Sequence, residues 1–114
     1  NLKSGKYLTA NVIVYAIGTR PNIEIAKDNG IICGRGVKVN QHLQSSHPDI
    51  FAIGEIAEFN NKLFGITSAA EEQAGVLANF IAGDISESYK GSVLMNILKF
   101  NDLRRLVNWC SFNG

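Results

Sequence analysis

The stretch Asp49-Ile50-Phe51-Ala52-Ile53-Gly54-Glu55-Ile56-Ala57-Glu58 decides how this chain is read. Ile50 to Ile53 is a short apolar run closed by glycine, which predicts a strand buried on both faces, as in a parallel sheet. A glycine at the carboxyl end of such a strand lets a ligand approach the backbone. The acid that follows, Glu55, can accept hydrogen bonds from sugar or polyol hydroxyls. Further on, Glu58 to Gly65 predicts a turn or short hairpin around Asn60-Asn61. Ser68-Ala69-Ala70-Glu71 then has the spacing of a capping box. Ala70, Ala74, Leu77, Ala78 and Ile81 fall on one face of the helix that follows, and Gly83 stops it. A helix N-terminus offers free N–H groups and partial positive charge. Strand end and helix start together suit a ligand with a polyol segment and an electron-rich head.

Upstream, Val12-Ile13-Val14-Tyr15-Ala16-Ile17 reads as another buried strand, closed by Gly18. Asn22 is placed as the N-cap of a short helix over about residues 23–29, with Gly30 at its C-terminal cap. Gly34-Arg35-Gly36 reads as a turn and Val37-Lys38-Val39 as a half-exposed strand, with a polar loop from Gln41 to Pro48. Downstream, Asp84 to Ser92 reads as a polar connector, followed by short strands at Ile97 to Phe100 and Leu106 to Trp109. Strands alternating with helices give an α/β class.

Composition narrows the function. Hydrophobic residues make up 46% of the 114 and charged residues 18%, enough to bury a core. Eleven Lys and Arg against ten Asp and Glu leave +1, which suggests neither a nucleic-acid nor an anionic-membrane surface. No apolar run approaches the roughly 18–20 residues that cross a bilayer, and no signal peptide opens the chain. Cys33 and Cys110 form no CxxC, and His42 and His47 lie in a loop without a ligand pattern, so no metal site is expected. Trp109 and Phe112 read as packing residues. The only methionine is Met95, so the chain is expected to be an internal piece of a longer protein.

These residues carry a resemblance. Val14-Tyr15-Ala16-Ile17-Gly18-Thr19-Arg20-Pro21-Asn22 resembles the segment where pyridine-nucleotide-dependent flavoprotein oxidoreductases leave their NAD domain. Arg35-Gly36-Val37-Lys38-Val39, Ser46 to Pro48 and residues 49–58 resemble their second FAD motif, a strand ending in Gly-Asp whose acid binds a ribityl hydroxyl. The pattern Ala-Ile-Gly-Glu-x-Ala, then Phe64-Gly65, Tyr89-Lys90-Gly91-Ser92-Val93-Leu94 and Leu98-Lys99, is most similar to the nitrite reductase large subunit and NADH:rubredoxin reductase branch. Glu55 stands where the family commonly has Asp, and Glu is similar to what the nitrite reductase branch uses.

The resemblance implies a FAD/NAD(P)-binding doubly wound, three-layer (ββα) flavoprotein fold running into a C-terminal α+β region. Residues 1–20 would be the last strand or strands of the NAD(P)-binding domain and the crossover. Residues 21–88 would be the C-terminal half of the FAD domain, and residues 89–114 the start of the C-terminal region. Glu55 would bind the FAD ribityl chain, with Gly54 permitting close approach. Ile66, Thr67 and Ser68 would meet the flavin through backbone amides, and Gly18 would lie near the nicotinamide nucleotide. No residue is implied as a catalytic acid, nucleophile or redox disulfide. NAD(P)H would be the co-substrate, and the electrons would pass to an iron–sulfur/sirohaem centre or to rubredoxin. The implied protein is cytoplasmic, contacts neither nucleic acid nor membrane, and is compatible with a homo-oligomer. The phosphate-binding Gly-x-Gly-x-x-Gly turns do not occur in these residues, so the isolated chain is expected to be inactive. The alternatives are a non-catalytic truncated remnant or interaction module of the same fold, and an NADH:rubredoxin reductase or NADH oxidase-type relative.

Overall fold

The computed structural model describes residues 4–7, 9–93, 95–100 and 103–108, the last two ranges as backbone alone. Cys110, Trp109 and Phe112 lie outside the described residues. Helix α1 spans Glu24–Asp28, strand β1 Val37–Val39, β2 Ala57–Phe59, β3 Lys62–Leu63 and helix α2 Thr67–Ile81. Strands β4, Met95–Phe100, and β5, Leu103–Asn108, complete the series. β1 and β2 pair in parallel, with Val37 opposite Ala57, and β2 and β3 pair antiparallel. β4 and β5 form a separate antiparallel hairpin, close to the strands expected there.

Local chemistry explains the elements that form as expected. The Asn22 side chain accepts the Glu24 N–H at 3.2 Å, so it holds the start of α1 from one position earlier than a strict cap. Asn60 and Asn61 have φ of 50° and 61°. Two consecutive left-handed residues joining two strands make a type I′ turn, which asparagine tolerates and which matches the twist of a hairpin. α2 ends in a Schellman motif: Asp84 N–H donates to Asn79 C=O and Gly83 N–H to Phe80 C=O, with Gly83 at φ 92°.

Four expectations are corrected. Residues 12–17 form no strand among the described residues, and Val12, Val14 and Ile17 are 77%, 83% and 90% exposed. Residues 49–53 make a single antiparallel bridge, Phe51 to Gln44, and of this run only Ala52 is buried. A parallel strand draws its ladder from neighbours on both sides, and the described residues supply no parallel neighbour to either run. In α2, Ser68 is already inside the helix, the N-cap is Ile66, and no side chain caps the start, so the capping box does not form. The inward face is also rotated by one residue. Ala69 and Gln73 are buried and Val76, Leu77 and Phe80 half-buried, whereas Ala74, Ala78 and Ile81 face outward.

The core is two clusters that meet at Val39. One gathers Leu43, Phe59, Phe64, Ala69 and Tyr89, and the other Ile31, Val37, Ala52 and Ala57. Leu43 is the surprise in a loop that reads as polar: it is fully buried, at φ 63°. Asn40 makes this possible, its Oδ1 accepting the N–H groups of His42 and Gln44. The left-handed geometry costs about 1–2 kcal/mol, which burying the leucine side chain, about 1.5–3 kcal/mol, offsets.

Gly34 and Gly36 have another purpose, space. Gly36 N–H donates to Oε2 of the buried Glu58 at 2.8 Å. A Cβ on Gly36 would stand 2.5 Å from the Ile56 carbonyl oxygen and 2.7 Å from Leu63 Cδ2. Gly36→Ala is therefore expected to lower stability by about 1–3 kcal/mol, measurable as a shift in the urea midpoint.

A second prediction concerns the end of α2. Hydrogen bonds from the Ser86 side chain and backbone hold the Asp84 carboxyl below its ordinary 3.8. A depressed carboxyl contributes above its unfolded pKa and loses that contribution as pH falls through the folded value. The bond from the Ser86 N–H to the Asp84 carboxylate is thus expected to persist at neutral pH and to weaken as pH falls through the lowered carboxyl value, read as faster exchange at the Ser86 amide. Asp84→Ala should remove it at every pH.

Candidate functional site

The expected site residues fall into two groups. Gly54 opens a 3₁₀ turn, Gly54–Ile56, that leads directly into β2. Its φ of 75° reverses the chain, a conformation that glycine adopts without strain. Glu55 is consequently turned out to solvent, and its carboxylate takes part in no hydrogen bond among the described residues. Ile66, Thr67 and Ser68 form the start of α2, with Ile66 in extended geometry as N-cap. No side chain caps this end and no acid occupies its first turn, so its amides stay available to an external acceptor.

Turn and helix are packed together. The Ala70 Cβ lies 3.9 Å from where a side chain on Gly54 would stand, and Gly54 N–H donates to Gln73 Oε1 at 2.6 Å. Gly18 is not brought to this site by any contact: it is exposed at φ 81°, and no atom lies within 4 Å of a Cβ placed on it.

Gln73 is fully buried, so both ends of its amide need partners. Its Oε1 receives Gly54 N–H, a group that can only donate, and this fixes the amide orientation. Its Nε2 then donates to the Tyr89 hydroxyl at 3.2 Å. Tyr89 O is 2.7 Å from Ser92 Oγ, and Ser92 in turn donates to the Glu72 carboxylate. Because a carboxylate only accepts, the serine proton is committed to Glu72, and Tyr89 donates to Ser92. The result is one directed chain from the Gly54 amide to an exposed carboxylate, in which each bond polarises the next. The Tyr89 ring is held edge-on between Phe59 and Phe64, with centroids 5.1 and 5.7 Å away.

The sequence singles out Gly54, Glu55 and residues 66–68 as site candidates but not Gln73, Tyr89 and Ser92, which the structure links to Gly54 by hydrogen bonds. The available signal was Gln73 four residues after Ala69 and four before Leu77, a polar residue within the true inward stripe. Cys33 is a half-buried free thiol. The described residues hold no cluster of three metal-ligating side chains, and no helix among them is long and apolar enough to cross a membrane. A depression of about 460 Å³ lies elsewhere and is lined by Ile25, Ile31, Val37, Ile50, Ile53 and Ile56 among others, with no charged side chain.

Residues 1–74 match the family model described as pyridine nucleotide-disulphide oxidoreductase. The chain belongs to this family. It is 42% identical over 99 residues to the assimilatory nitrate reductase electron transfer subunit of Bacillus subtilis, covering 87% of this chain and 13% of that protein. It is 39% identical over 97 residues to the nitrite reductase (NAD(P)H) of the same organism, covering 85% of this chain and 12% of that one. Among solved structures, NADH:rubredoxin oxidoreductase from Clostridium acetobutylicum superposes with a TM-score of 0.68 at 35% identity, over 78% of this chain and 23% of that one. Reduced Bacillus anthracis CoADR-RHD does so at 0.75 and 31%, over 90% and 20%. The chain thus spans a small part of the length of the relatives it matches. The family is one of FAD-dependent enzymes that use NAD(P)H, and its doubly wound α/β fold is the one to which these elements belong.

The directed chain gives a test of its own. Tyr89→Phe keeps the ring between Phe59 and Phe64 but leaves Gln73 Nε2 buried without an acceptor, at an expected cost of about 1–3 kcal/mol. Ser92→Ala, nearer solvent, should cost less than half as much in the same denaturation experiment.

Proposed function

We propose that this chain supplies the C-terminal half of the FAD domain, with flanking parts of the NAD(P) domain and of a C-terminal region, in a FAD-dependent NAD(P)H oxidoreductase resembling the nitrite reductase large subunit. The observation that carries the proposal is the uncapped start of α2 fastened beside the Gly54–Glu55 turn. The donor set fits FAD on chemical grounds. A solvent-facing carboxylate with no hydrogen-bond partner among the described residues can accept from the hydroxyls of a ribityl chain, and uncapped helix amides can face the electron-rich pyrimidine edge. When bound, FAD supplies the hydride-accepting chemistry. The residues of this chain bind and orient: Glu55 holds the polyol, Gly54 bends the backbone out of its way, and the amides of Ile66, Thr67 and Ser68 favour negative charge at the ring. Gly18 is assigned to the nicotinamide side.

The exposed apolar surfaces support the same reading. Residues 12–17 and the depression beside Ile50 and Ile53 carry the composition of buried strands yet lie open. The remainder of the two nucleotide-binding domains would cover them. The electron acceptor belongs to the class that the relatives' names indicate: rubredoxin, or the iron–sulfur/sirohaem centre of a nitrite reductase. A cytoplasmic location accompanies this assignment.

The decisive experiment expresses the complete reading frame that encodes these residues. A flavin absorbance band in the purified protein, bleached by NAD(P)H, is the expected result, and a colourless protein that folds without FAD overturns the proposal in favour of a non-catalytic remnant. In the flavin-bearing protein, Glu55→Ala is expected to weaken FAD binding about 10–100-fold, the scale of a hydrogen bond to a charged group. The isolated 114 residues should bind FAD weakly or not at all, and submicromolar affinity in a titration would count against the assignment of half a domain.

A further inference from the structure

We propose that Gln73 is a positioning residue that sets the flavin-facing start of α2 against the Gly54–Glu55 turn, so that one buried amide keeps both halves of the site in register. The inference rests on the FAD reading above and adds to it a residue that touches neither the expected polyol nor the expected ring.

Its basis is the scarcity of other ties. The Gly54–Ile56 turn lies against α2 near Ala70, whose Cβ would stand 3.9 Å from a Cβ placed on Gly54, and such apolar proximity has no direction. The bond from Gly54 N–H to Gln73 Oε1 is the only hydrogen bond among the described residues that joins them. Gln73 stands six residues into the helix, about 9 Å along its axis from Thr67 at 1.5 Å per residue. A fixed point there determines how far the uncapped amides reach past Glu55. It also removes Gly54 N–H from the donors a ligand could use, so the contribution of Gly54 is shape alone. The remaining end of the Gln73 amide is held by Tyr89, itself tied through Ser92 to Glu72. The segment that leads into β4 thereby helps to fix the turn that carries Glu55.

The test uses the full-length flavoprotein and three variants. Gln73→Met keeps the side-chain length and removes the acceptor and the donor. Gln73→Glu keeps an acceptor for Gly54 while disturbing the bond to Tyr89. Tyr89→Phe keeps Gln73 and loses only its brace. FAD affinity is read by flavin fluorescence, the ring environment by the absorbance spectrum, and the Gly54 link by hydrogen exchange at its amide. The expected result is FAD binding weakened about tenfold in Gln73→Met, with a shifted spectrum, and recovered to within about threefold of wild type in Gln73→Glu. Tyr89→Phe should fall between, with the Gly54 amide still protected. Equal FAD affinity and an unchanged spectrum in Gln73→Met would overturn the proposal while leaving the FAD reading intact. If Gln73→Met does not fold, Gln73→Glu decides: a loss of tenfold or more with Gly54 still protected, or unchanged affinity with Gly54 unprotected, overturns it. A wild-type protein that binds no FAD removes the site itself, an outcome distinct from either.

Discussion

A fully buried glutamine can be tolerated only when both ends of its amide find partners, since an unpaired buried polar group costs on the order of 1–3 kcal/mol. Gln73 meets that condition by gripping the Gly54 amide on one side and the Tyr89 hydroxyl on the other. This single side chain joins the 3₁₀ turn, the long helix and the connector that leaves it, and β2 continues directly from the turn. The chemistry expected of Glu55 and of the helix start depends on these pieces meeting at one place. The glycine at position 54 matters for the same reason, because its left-handed backbone both aims Glu55 outward and turns its own N–H inward.

A similar economy of parts operates beside that turn, where β1 begins. The carboxylate of Glu58 is buried against the Gly34–Gly36 turn, where two missing side chains leave room for it. Arg35, between the glycines, reaches across to the Asn61 carbonyl and ties this turn to the β2–β3 hairpin. Thus one end of the β1–β2 pair carries a turn that presents an acid to solvent and a neighbouring turn that encloses another. Two acids three residues apart, Glu55 and Glu58, have opposite fates because the backbone makes a 3₁₀ turn between them.

The family assignment explains why so much apolar surface lies open. In a doubly wound fold the central strands are covered on both faces and flanked on both edges. The runs at residues 12–17 and 49–53 have the composition for that role, but the flanking strands they require are not among the described residues. Their side chains are therefore exposed, or paired by a single bridge, despite a sequence written for burial. Composition records the environment for which a segment is suited, and pairing depends on which partners are present.

What the sequence determined by itself was local. Asn60-Asn61 dictated a hairpin turn, Asn22 held a helix start, Gly83 ended α2, and the Gly54–Glu55 pair marked the likeness to a FAD motif, because each effect operates within a few residues of backbone. Tertiary structure decided which face of α2 turns inward, that Ser68 caps nothing, that Leu43 fills the core from a polar loop, and that Gln73, Tyr89 and Ser92 form one chain of hydrogen bonds. Those outcomes join residues distant in sequence, such as Gly54 and Gln73 or Glu72 and Ser92. A one-residue rotation of the helix, about 100°, exchanges alanines for a glutamine on the buried side. Only the packing of the turn and the aromatic cluster against α2 selects between the two.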